Sequence, residues 1–285
     1  MMEPEEVVEE IRRTQFLIGV ALPPDAEQGA RNIRATLNRT LQILSEDLYS
    51  TETHFILELI QNADDNAYAS AVKPEIVFLL EPERLTINNN ESGFSAENVR
   101  ALCNAGHSTK SKREGFIGEK GIGFKSVFAV SDRPEIHSGG FHFHFEAGGE
   151  NLLGYVVPTW IPGQPDESGT RIVLPARNGG HFEWDALADV SPELLLFLRK
   201  LRRLRVHDHA TGAALEFERF DEDGRVSLRT TSTPDILQTP QLIRERISAR
   251  RILSRLPTSR KGVGLASKRP RSFSLSRSIA TVRRE

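Results

Sequence analysis

The first half of the chain carries apolar residues at helical spacing. Five of them recur every three or four positions and would share one helix face: Ile33, Leu37, Leu41, Leu44 and Leu48. This pattern predicts a helix over residues 27–49. Residues 50–53 offer N-cap side chains for a second helix over residues 53–69. An acidic helix is expected within residues 1–20, before two prolines interrupt the chain.

A hairpin and a long loop follow these helices. Residues 75–80 and 84–88 are largely apolar and flank a short turn, which predicts two paired strands. Another helix is expected over residues 95–105. The stretch 106–123 is rich in Gly, Ser and Lys, and connections of this length are usually functional or mobile. The apolar run 124–130 predicts the helix that follows this loop.

The second half of the chain predicts mostly strands. We expect them at residues 141–145, 154–160, 170–174, 215–220 and 226–228. The leucine-rich residues 182–205 predict one more helix. Beyond about residue 230 the apolar pattern fades, although residues 241–255 could form a short helix. Because helices and strands do not alternate strictly, we predict an α+β fold: a two-layer sandwich with helices on one face of a mixed, mostly antiparallel β-sheet.

Composition and charge are those of an ordinary globular protein. The 285 residues carry a formal net charge of −2, so no overall field favours a nucleic acid or an acidic membrane. The single cysteine, Cys103, cannot form an internal disulfide. No apolar run approaches the roughly 20 residues of a membrane-spanning helix. We expect an intracellular protein, cytoplasmic or nuclear, without a membrane or nucleic-acid partner, although the basic C-terminal residues leave DNA binding open.

Polar residues share one stripe of the second predicted helix. Glu58, Asn62 and Asp65 stand at positions i, i+4 and i+7, so they lie on one face. A carboxylate and an amide in this arrangement could hold a hydrated magnesium ion and a water molecule. The alternative is an amphipathic helix whose polar face is simply solvated.

Glycines dominate the loop before the predicted helix 124–130. Four of them lie between positions 115 and 123, where they let the backbone approach a ligand. Amide groups at the start of the following helix could then hold phosphates. No Gly-Lys-Ser/Thr closes the loop as in a Walker motif, so a flexible loop is the alternative interpretation. Lys120 and Lys125 could reach phosphates, but we expect both to be exposed to solvent.

Amide side chains end the second predicted strand. Three asparagines at positions 88–90 precede Gly93. Carboxamides can read the edge of a base because they both donate and accept hydrogen bonds, but Asn and Gly also favour plain turns. Farther along, Thr170 follows a glycine at the start of a predicted strand, a feature with no meaning on its own.

In this order and spacing, the four features resemble the GHKL superfamily of ATPases, which share the Bergerat ATP-binding fold. The superfamily includes the ninety-kilodalton heat-shock chaperone, DNA gyrase, MutL and histidine kinases. The sacsin-like and NO VEIN-like branch is the most similar, through the run from Leu44 to Asp65, and the resemblance spans about residues 35–175. The runs 58–65 and 118–128 are specific, whereas the Asn-Gly loop and the Gly-Thr strand only support the resemblance.

The resemblance implies a role for each matching residue. Glu58 would orient and activate the attacking water, and Asn62 would coordinate Mg²⁺ bound to ATP. Asp65 would lie near the base and ribose, and Thr170 on the adenine side of the sheet. The phosphate-holding loop would comprise Gly118, Gly121, Gly123 and Phe124. The lid over the nucleotide would span Gly106 to Gly118 and include Ser108, Thr109 and Lys110.

Two residues depart from the superfamily pattern. Asn89 stands where an Asp accepts a hydrogen bond from the adenine amino group, and an uncharged amide oxygen forms a weaker bond than a carboxylate does. Glu91 replaces the first glycine of the same motif, whereas Gly93 matches the second. Both departures bear on nucleotide affinity and base preference.

We divide the chain into an acidic N-terminal segment (1–26), an ATP-binding domain (27–180), a helix-strand extension (181–230) and a disordered basic tail (231–285). The resemblance implies binding of ATP with Mg²⁺ and slow, Mg²⁺-dependent hydrolysis that drives lid closure and a chaperone-like or regulatory conformational change. The alternative is a non-catalytic nucleotide-sensing or scaffold module. A histidine kinase is disfavoured because we find no phosphoacceptor helix. A homodimer, a protein client and a larger multidomain protein stay open.

Overall fold

The computed structural model describes residues 2–48, 54–104, 123–147, 152–165, 168–222 and 225–233. The α-helices in these ranges are α1 (Pro4–Phe16), α2 (Pro24–Leu48), α3 (His54–Asp65), α4 (Ala96–Cys103) and α5 (Leu194–Phe197). The strands are β1 (Glu75–Glu81), β2 (Arg84–Asn89), β3 (Glu135–Ser138), β4 (Phe141–His144), β5 (Thr159–Trp160), β6 (Thr170–Pro175), β7 (Arg203–Asp208), β8 (Ala214–Glu222) and β9 (Arg225–Ser232). Short 3₁₀ helices occur at Gly123–Ala129, Leu152–Tyr155, Arg177–Gly179 and Trp184–Leu187.

The nine strands form one sheet in the order β5-β4-β3-β6-β2-β1-β7-β8-β9. β1 and β2 form the predicted hairpin, with Phe78 opposite Ile87. β1 and β7 run parallel, and the other neighbouring strands run antiparallel. Because β7 pairs with β1, residues of the 181–230 segment continue the same sheet that the first half of the chain begins.

Alternate residues of the central strands face the helices. In β1, the buried side chains Ile76, Phe78 and Leu80 point to one face, as the two-residue repeat of a strand requires. They share a single hydrophobic core with Phe55 and Ile60 of α3. The predicted α+β sandwich, with a mixed and mostly antiparallel sheet, is confirmed.

The N-terminal helix α1 belongs to this core. Glu6 Oε2 accepts the backbone N–H of Glu3 at 3.1 Å, which satisfies a donor at the start of the helix. Ile11 on its inner face is fully buried. Arg12 Nη1 donates to the carbonyl oxygen of Pro158 at 2.7 Å, so α1 is also anchored beside β5.

Two glycines make the β3–β4 hairpin, of which the sequence predicted only the second strand. Gly139 and Gly140 have φ values of 58° and 81°, the region that a two-residue hairpin turn requires at both central positions. They place Ser138 opposite Phe141. The other edge of β3 pairs with β6, where Ser138 lies opposite Thr170.

The helix predicted over residues 182–205 is wrong. This segment contains the 3₁₀ helix Trp184–Leu187, the single turn α5 and the start of β7. The carboxylate of Asp64 accepts the backbone N–H groups of residues 199, 200 and 201 at 2.8, 2.7 and 2.8 Å. These bonds hold an extended connection into β7, and tertiary contacts therefore override the helical propensity of the leucines.

Two smaller predictions also change. The helix predicted over 124–130 is the 3₁₀ helix Gly123–Ala129, and only Thr159–Trp160 of the predicted strand 154–160 is a strand. The backbone at Gly154 turns so close to Glu146 that a Cβ there would overlap the Glu146 carbonyl oxygen. No helix of the described residues is both long and apolar enough to cross a membrane.

Candidate functional site

A cavity of about 420 Å³ lies between the helices and the sheet, where β2 ends and β6 begins. Its volume is within the roughly 300–1,000 Å³ typical of small-molecule sites. Apolar side chains from both layers form its walls: Leu59, Ala63, Ile76, Ile87, Phe124 and Ile172. Such walls suit the faces of a flat ring system.

Polar side chains line the rest of the cavity. The helices and their flanking loops contribute Gln15, Asn62, Asn66, Glu97, Asn98, Arg100 and Asn104. The sheet side contributes Asn89, Glu91 and Thr170. The structure thus brings four residues that the sequence predicted from separate regions to one cavity: Asn62, Asn89, Phe124 and Thr170.

Glu58 stands beside this cavity, one helical turn before Asn62. It is not among the lining side chains, but it contacts Gly123, whose neighbour Phe124 lines the cavity. A Cβ at Gly123 would overlap a carboxylate oxygen of Glu58 and would lie 3.2 Å from its Cδ. The absence of a Cβ at Gly123 therefore lets the Glu58 carboxylate approach the backbone closely.

The carboxamide of Asn89 is held by the protein at both ends. Its Oδ1 accepts the backbone N–H of Glu91 at 2.9 Å, and its Nδ2 donates to the Tyr68 hydroxyl at 2.7 Å. The Tyr68 hydroxyl donates in turn to the carbonyl oxygen of Ala63 at 2.8 Å. Burial raises the pKa of Tyr68 above its usual range, which keeps this donor protonated.

A chain of buried hydrogen bonds ends on Glu91. The backbone N–H of Phe94 donates to Ser138 Oγ at 2.8 Å. Ser138 Oγ and Thr170 Oγ1 are 2.5 Å apart, and Thr170 Oγ1 donates to Glu91 Oε1 at 2.5 Å. Since Thr170 uses its only proton on Glu91, the Ser138 hydroxyl is the donor in the middle bond. Every proton of this chain therefore points toward the Glu91 carboxylate.

Gly93 has a backbone role in this arrangement. Its φ is 87°, and a Cβ there would lie 3.0 Å from the backbone of Gly139. Gly169 has φ 91°, and a Cβ there would overlap the carbonyl oxygen of Asn89. These contacts hold the end of β2 and the loop after it close to the β3–β4 turn and to the residue before β6. Gly93, predicted as a ligand-binding residue, is not among the residues that line the cavity.

Asp65 is also outside the cavity lining. It is buried, and its carboxylate forms an ion pair with Arg199. The neighbouring Lys200 Nζ donates to the Asp65 carbonyl oxygen at 3.0 Å. Together with Asp64, these contacts fasten the end of α3 to the connection that enters β7. Asp65 therefore does not line the cavity in which we predicted that it would lie near the base and ribose.

Lys125 is buried, contrary to the prediction that it is exposed. Its Nζ donates to the carbonyl oxygens of Leu102 and Tyr155 at 2.7 and 2.6 Å and lies 4.2 Å from the ring centroid of Phe145. Burial lowers the pKa of Lys125 to about 8. The side chain joins the end of α4 to the 3₁₀ helix Leu152–Tyr155, so it stabilises the fold and does not face the cavity.

Six predicted site residues lie outside the described residues: Gly106, Ser108, Thr109, Lys110, Gly118 and Gly121. The predicted lid and two of the four residues of the predicted phosphate loop, Gly118 and Gly121, therefore stay predictions. The predicted helix 241–255 and the tail from residue 234 lie outside the described residues as well.

The sequence did not indicate several residues that line the cavity. Gln15 comes from α1, and Arg100, paired with Glu10 at 2.8 Å, comes from α4. Neither belongs to a local motif, because only packing of α1 against α4 brings them to the cavity. Glu91 was visible in the sequence, but only as a departure from a glycine.

The sequence of this chain is similar to a known domain family and to several known proteins. The Sacsin domain family matches residues 81–146, from the end of β1 to just beyond β4. Protein NO VEIN of Arabidopsis thaliana is 43% identical over 220 residues, which cover 69% of this chain and 8% of that protein. Human sacsin is 32% identical over 109 residues, covering 32% of this chain and 2% of sacsin.

A third relative has a different description. The putative type II restriction enzyme HgiDII of Herpetosiphon aurantiacus is 29% identical over 153 residues, covering 47% of this chain and 24% of that protein. The chain therefore spans a small part of each of these relatives. The match to the Sacsin domain family and the identities with NO VEIN and sacsin relate this chain to the sacsin-like and NO VEIN-like proteins.

Proposed function

We propose that the cavity binds ATP together with Mg²⁺ and that the domain hydrolyses ATP slowly. The observation that carries this proposal is the meeting of Asn62, Phe124, Asn89 and Thr170 around one apolar-walled cavity. Their order along the chain also resembles that of the GHKL ATPases. Hydrolysis would drive lid closure and a chaperone-like or regulatory change in the longer protein.

The sheet end of the cavity suits a nucleotide base. Ile87 and Ile172 project from neighbouring strands and Ala63 from α3, so a flat ring could bury both faces against apolar atoms. The polar atoms of Asn89, Glu91 and Thr170 lie at the same end. A buried hydrogen-bonding edge of this kind fixes the orientation of a ligand and gives specificity.

The α3 end of the cavity suits magnesium and phosphate. Asn62 offers a carboxamide oxygen, and Mg²⁺ commonly uses only one or two protein ligands, with phosphate and water completing its shell. No cluster of three or more His, Cys, Asp or Glu residues placed to hold a metal occurs within the described ranges, which is compatible with such a sparse site. When bound, Mg²⁺ would neutralise phosphate charge.

Glu58 would act as the general base. Its carboxylate, half-buried and adjacent to Gly123, would hold the attacking water and accept its proton. The water oxygen would bond to the γ-phosphorus while the bond to the β-phosphate oxygen breaks. General-base assistance of this kind contributes roughly 10²–10⁴ in rate.

Thermal unfolding with and without ATP, each with and without Mg²⁺, tests binding. A ligand at ~100 times its Kd adds about 2.7 kcal/mol to the free energy of unfolding. In a domain of this size, each kcal/mol of added stability raises Tm by about 2–4 °C. We therefore expect Tm to rise by roughly 5–11 °C. Asn62→Ala should remove the Mg²⁺-dependent part of the rise. Asn32→Ala, on the exposed face of α2, is the matched control and should keep it. No rise at millimolar ATP would refute the proposal.

Turnover is tested separately with Glu58→Gln, which keeps the shape of the side chain and removes its basicity. We expect Tm to rise with ATP as in the wild type while phosphate release falls by at least ~10²-fold. A variant that releases phosphate at the wild-type rate would refute hydrolysis by Glu58. ATP binding by the wild type without any phosphate release would instead identify a nucleotide-sensing module.

A further inference from the structure

The outermost strand β9 has one edge that no other described strand uses. Within the described ranges β9 ends the nine-stranded sheet and pairs with β8 alone. We infer that this edge pairs antiparallel with β9 of a second copy of the chain, so that two sheets join across a two-fold axis. The pairing does not depend on the nucleotide site proposed above.

The register shows which backbone groups of β9 face outward. The N–H of Thr233 donates to the carbonyl oxygen of Ala214 at 3.1 Å, so this residue is bonded to the strand beside it. Bonded and non-bonded positions alternate along an antiparallel ladder. The odd-numbered residues of β9 therefore bond to β8, and the even-numbered ones turn their N–H and C=O groups outward: Val226, Leu228, Thr230 and Ser232. An added strand could bond at these positions.

The two ends of the sheet differ in how they are protected. At the other end β5 has two residues, and Arg12 of α1 donates to Pro158 O and Thr159 Oγ1 at 2.7 and 3.1 Å, so a helix lies against it. β9 has eight residues in continuous register with β8. It has none of the bulges, prolines or lysines that commonly prevent pairing at an edge. A long and regular edge of this kind suits strand addition.

Charge on β9 does not block this edge. Arg229, in the second half of the strand, is directed at β8. Its Nη1 lies 3.8 Å from Glu218 Oε2, and its guanidinium carbon lies 4.5 Å from the ring centroid of Phe220. The other charged residue, Arg225, stands at the hairpin end of the strand. The middle of the edge therefore carries no charge that points away from the sheet.

The face of β9 toward the helices is partly apolar. Leu228 is half-buried against the hydrophobic core and lies opposite Arg219 of β8. Arg219 Nη1 donates to the carbonyl oxygens of Leu195 and Leu198 at 2.8 and 3.1 Å, so α5 lies over β8 on this face. Phe197 of α5 is 83% exposed. An added strand would continue an apolar surface that a single chain leaves partly uncovered.

A second copy of β9 is complementary to the first on this face. A two-fold axis beside Leu228 sets this residue opposite its own copy and Val226 opposite Thr230. Apolar and β-branched pairs of this kind stabilise neighbouring strands. The same surface is then used by both chains, as an isologous dimer requires.

The charges on the other face select the same register. With the axis beside Leu228, Arg225 lies opposite Thr231, and Ser227 lies opposite Arg229. A register shifted by one step in either direction sets Arg229 opposite Arg229 or opposite Arg225. Like charges directly opposite each other destabilise a pair of strands. The register centred on Leu228 is therefore the one that we propose.

Sedimentation of the full chain across micromolar concentrations measures the association. We expect a dimer that dissociates on dilution. Thr230→Pro removes an outward N–H that takes no part in pairing with β8, so the fold should tolerate it. Each dimer loses two such donors, and its Kd should rise at least ~10-fold. Thr230→Val is the matched control, because it keeps the N–H and the shape of the side chain, and it should keep the wild-type Kd.

Cysteine cross-linking tests the register. The single cysteine of the chain, Cys103, is buried, so a thiol added on β9 reacts without background. In Leu228→Cys the two thiols would face each other, with Cα atoms about 5.5 Å apart, which is within the disulfide range. In Val226→Cys or Thr230→Cys each thiol would lie roughly 13 Å from its copy along the strands, too far for a disulfide. Mild oxidation should therefore cross-link only Leu228→Cys.

A mixture of two variants repeats this test with Leu228 in place. Val226 and Thr230 lie opposite each other in the proposed register, so chains with Val226→Cys should cross-link to chains with Thr230→Cys. Neither variant should cross-link alone. The Tm of each reduced variant shows whether it is folded.

A wild type that stays monomeric throughout the micromolar range overturns the pairing. A dimer whose Kd is the same in folded Thr230→Pro overturns it too, because the chains would then associate elsewhere. Equal cross-linking of Leu228→Cys and Val226→Cys, or none in the mixture, overturns the register. A dimer that Thr230→Pro weakens, with cross-links only at the predicted pairs, supports the pairing.

Discussion

Gly123→Ala tests the contact between Glu58 and the 3₁₀ helix Gly123–Ala129. The new Cβ would overlap a carboxylate oxygen of Glu58 and lie 3.2 Å from its Cδ, whereas carbon atoms pack best at about 3.5–4.0 Å. The carboxylate must therefore move by about 1 Å to reach an ordinary contact distance. This movement is cheap, because the obstructing group is the far end of a half-buried side chain and the φ of Gly123 lies outside the left-handed region.

Stability and turnover should consequently respond in opposite directions. Gly→Ala at a compatible position stabilises by about 0.4–1 kcal/mol, because the unfolded chain loses freedom. The free energy of unfolding of Gly123→Ala should therefore stay constant or rise by up to ~1 kcal/mol. A displacement of ~1 Å can cost about 10²-fold in rate, which corresponds to about 2.7 kcal/mol in activation free energy.

Urea unfolding measures the free energy of unfolding, and phosphate release at saturating ATP with Mg²⁺ measures the turnover rate. Gly29→Ala is the matched control, because its Cβ on helix α2 would meet nothing within 4 Å. It should stabilise without changing turnover. Turnover of Gly123→Ala within twofold of the wild type would refute the reasoning. A loss of more than about 2 kcal/mol of stability would do so too, because it would show that the backbone and not the Glu58 carboxylate gives way.

Three further variants test the surrounding structure. Asp64→Ala should lower the urea unfolding free energy by about 3 kcal/mol or more, because three backbone donors lose their acceptor; a loss below 1 kcal/mol would contradict this. Burial lowers the pKa of Lys125 from 10.5 to about 8. Above pH 8 the unfolded state therefore binds more protons at this side chain than the folded state does. The stability of the wild type relative to Lys125→Met should therefore rise between about pH 8 and 10.5 and not change below pH 7, whereas a constant difference would exclude the shift. Asn89→Asp places a second buried carboxylate beside Glu91, so Tm at pH 7 should fall, with partial recovery at pH 5; an unchanged Tm would show that the two groups do not interact.

Local patterns determined much of this fold. The helix α2, the amphipathic α3 and the β1–β2 hairpin form in the segments where the sequence predicts them, because each depends on spacing within one segment. The end of α3 differs most, since this helix ends at Asp65 and not at residue 69. The β3–β4 hairpin also has a local signal, the pair Gly139–Gly140 between apolar residues, which indicates a two-residue turn. This signal is sufficient to predict β3 as the strand before the turn.

Residues 182–205 show where local patterns fail. Their leucines suit a helix, but Asp64 holds the backbone of residues 199–201, and β7 then pairs with β1. Both partners lie more than a hundred positions earlier in the chain. No pattern within the segment records them, and their combined hydrogen bonds exceed the fraction of a kcal/mol per residue by which helix propensities differ.

The candidate site also has features that the sequence determined and features that only the tertiary structure decided. The sequence by itself determined which residues carry suitable chemistry, since Glu58, Asn62, Asn89 and Thr170 stand in recognisable motifs. Only the tertiary structure decided how they are used. It directs Asp65 to Arg199, encloses Lys125 in the core and aims the Thr170 hydroxyl at Glu91. A residue type fixes which bonds a side chain can form, but the partner available within about 3 Å, and therefore the bond that forms, depends on how distant segments pack.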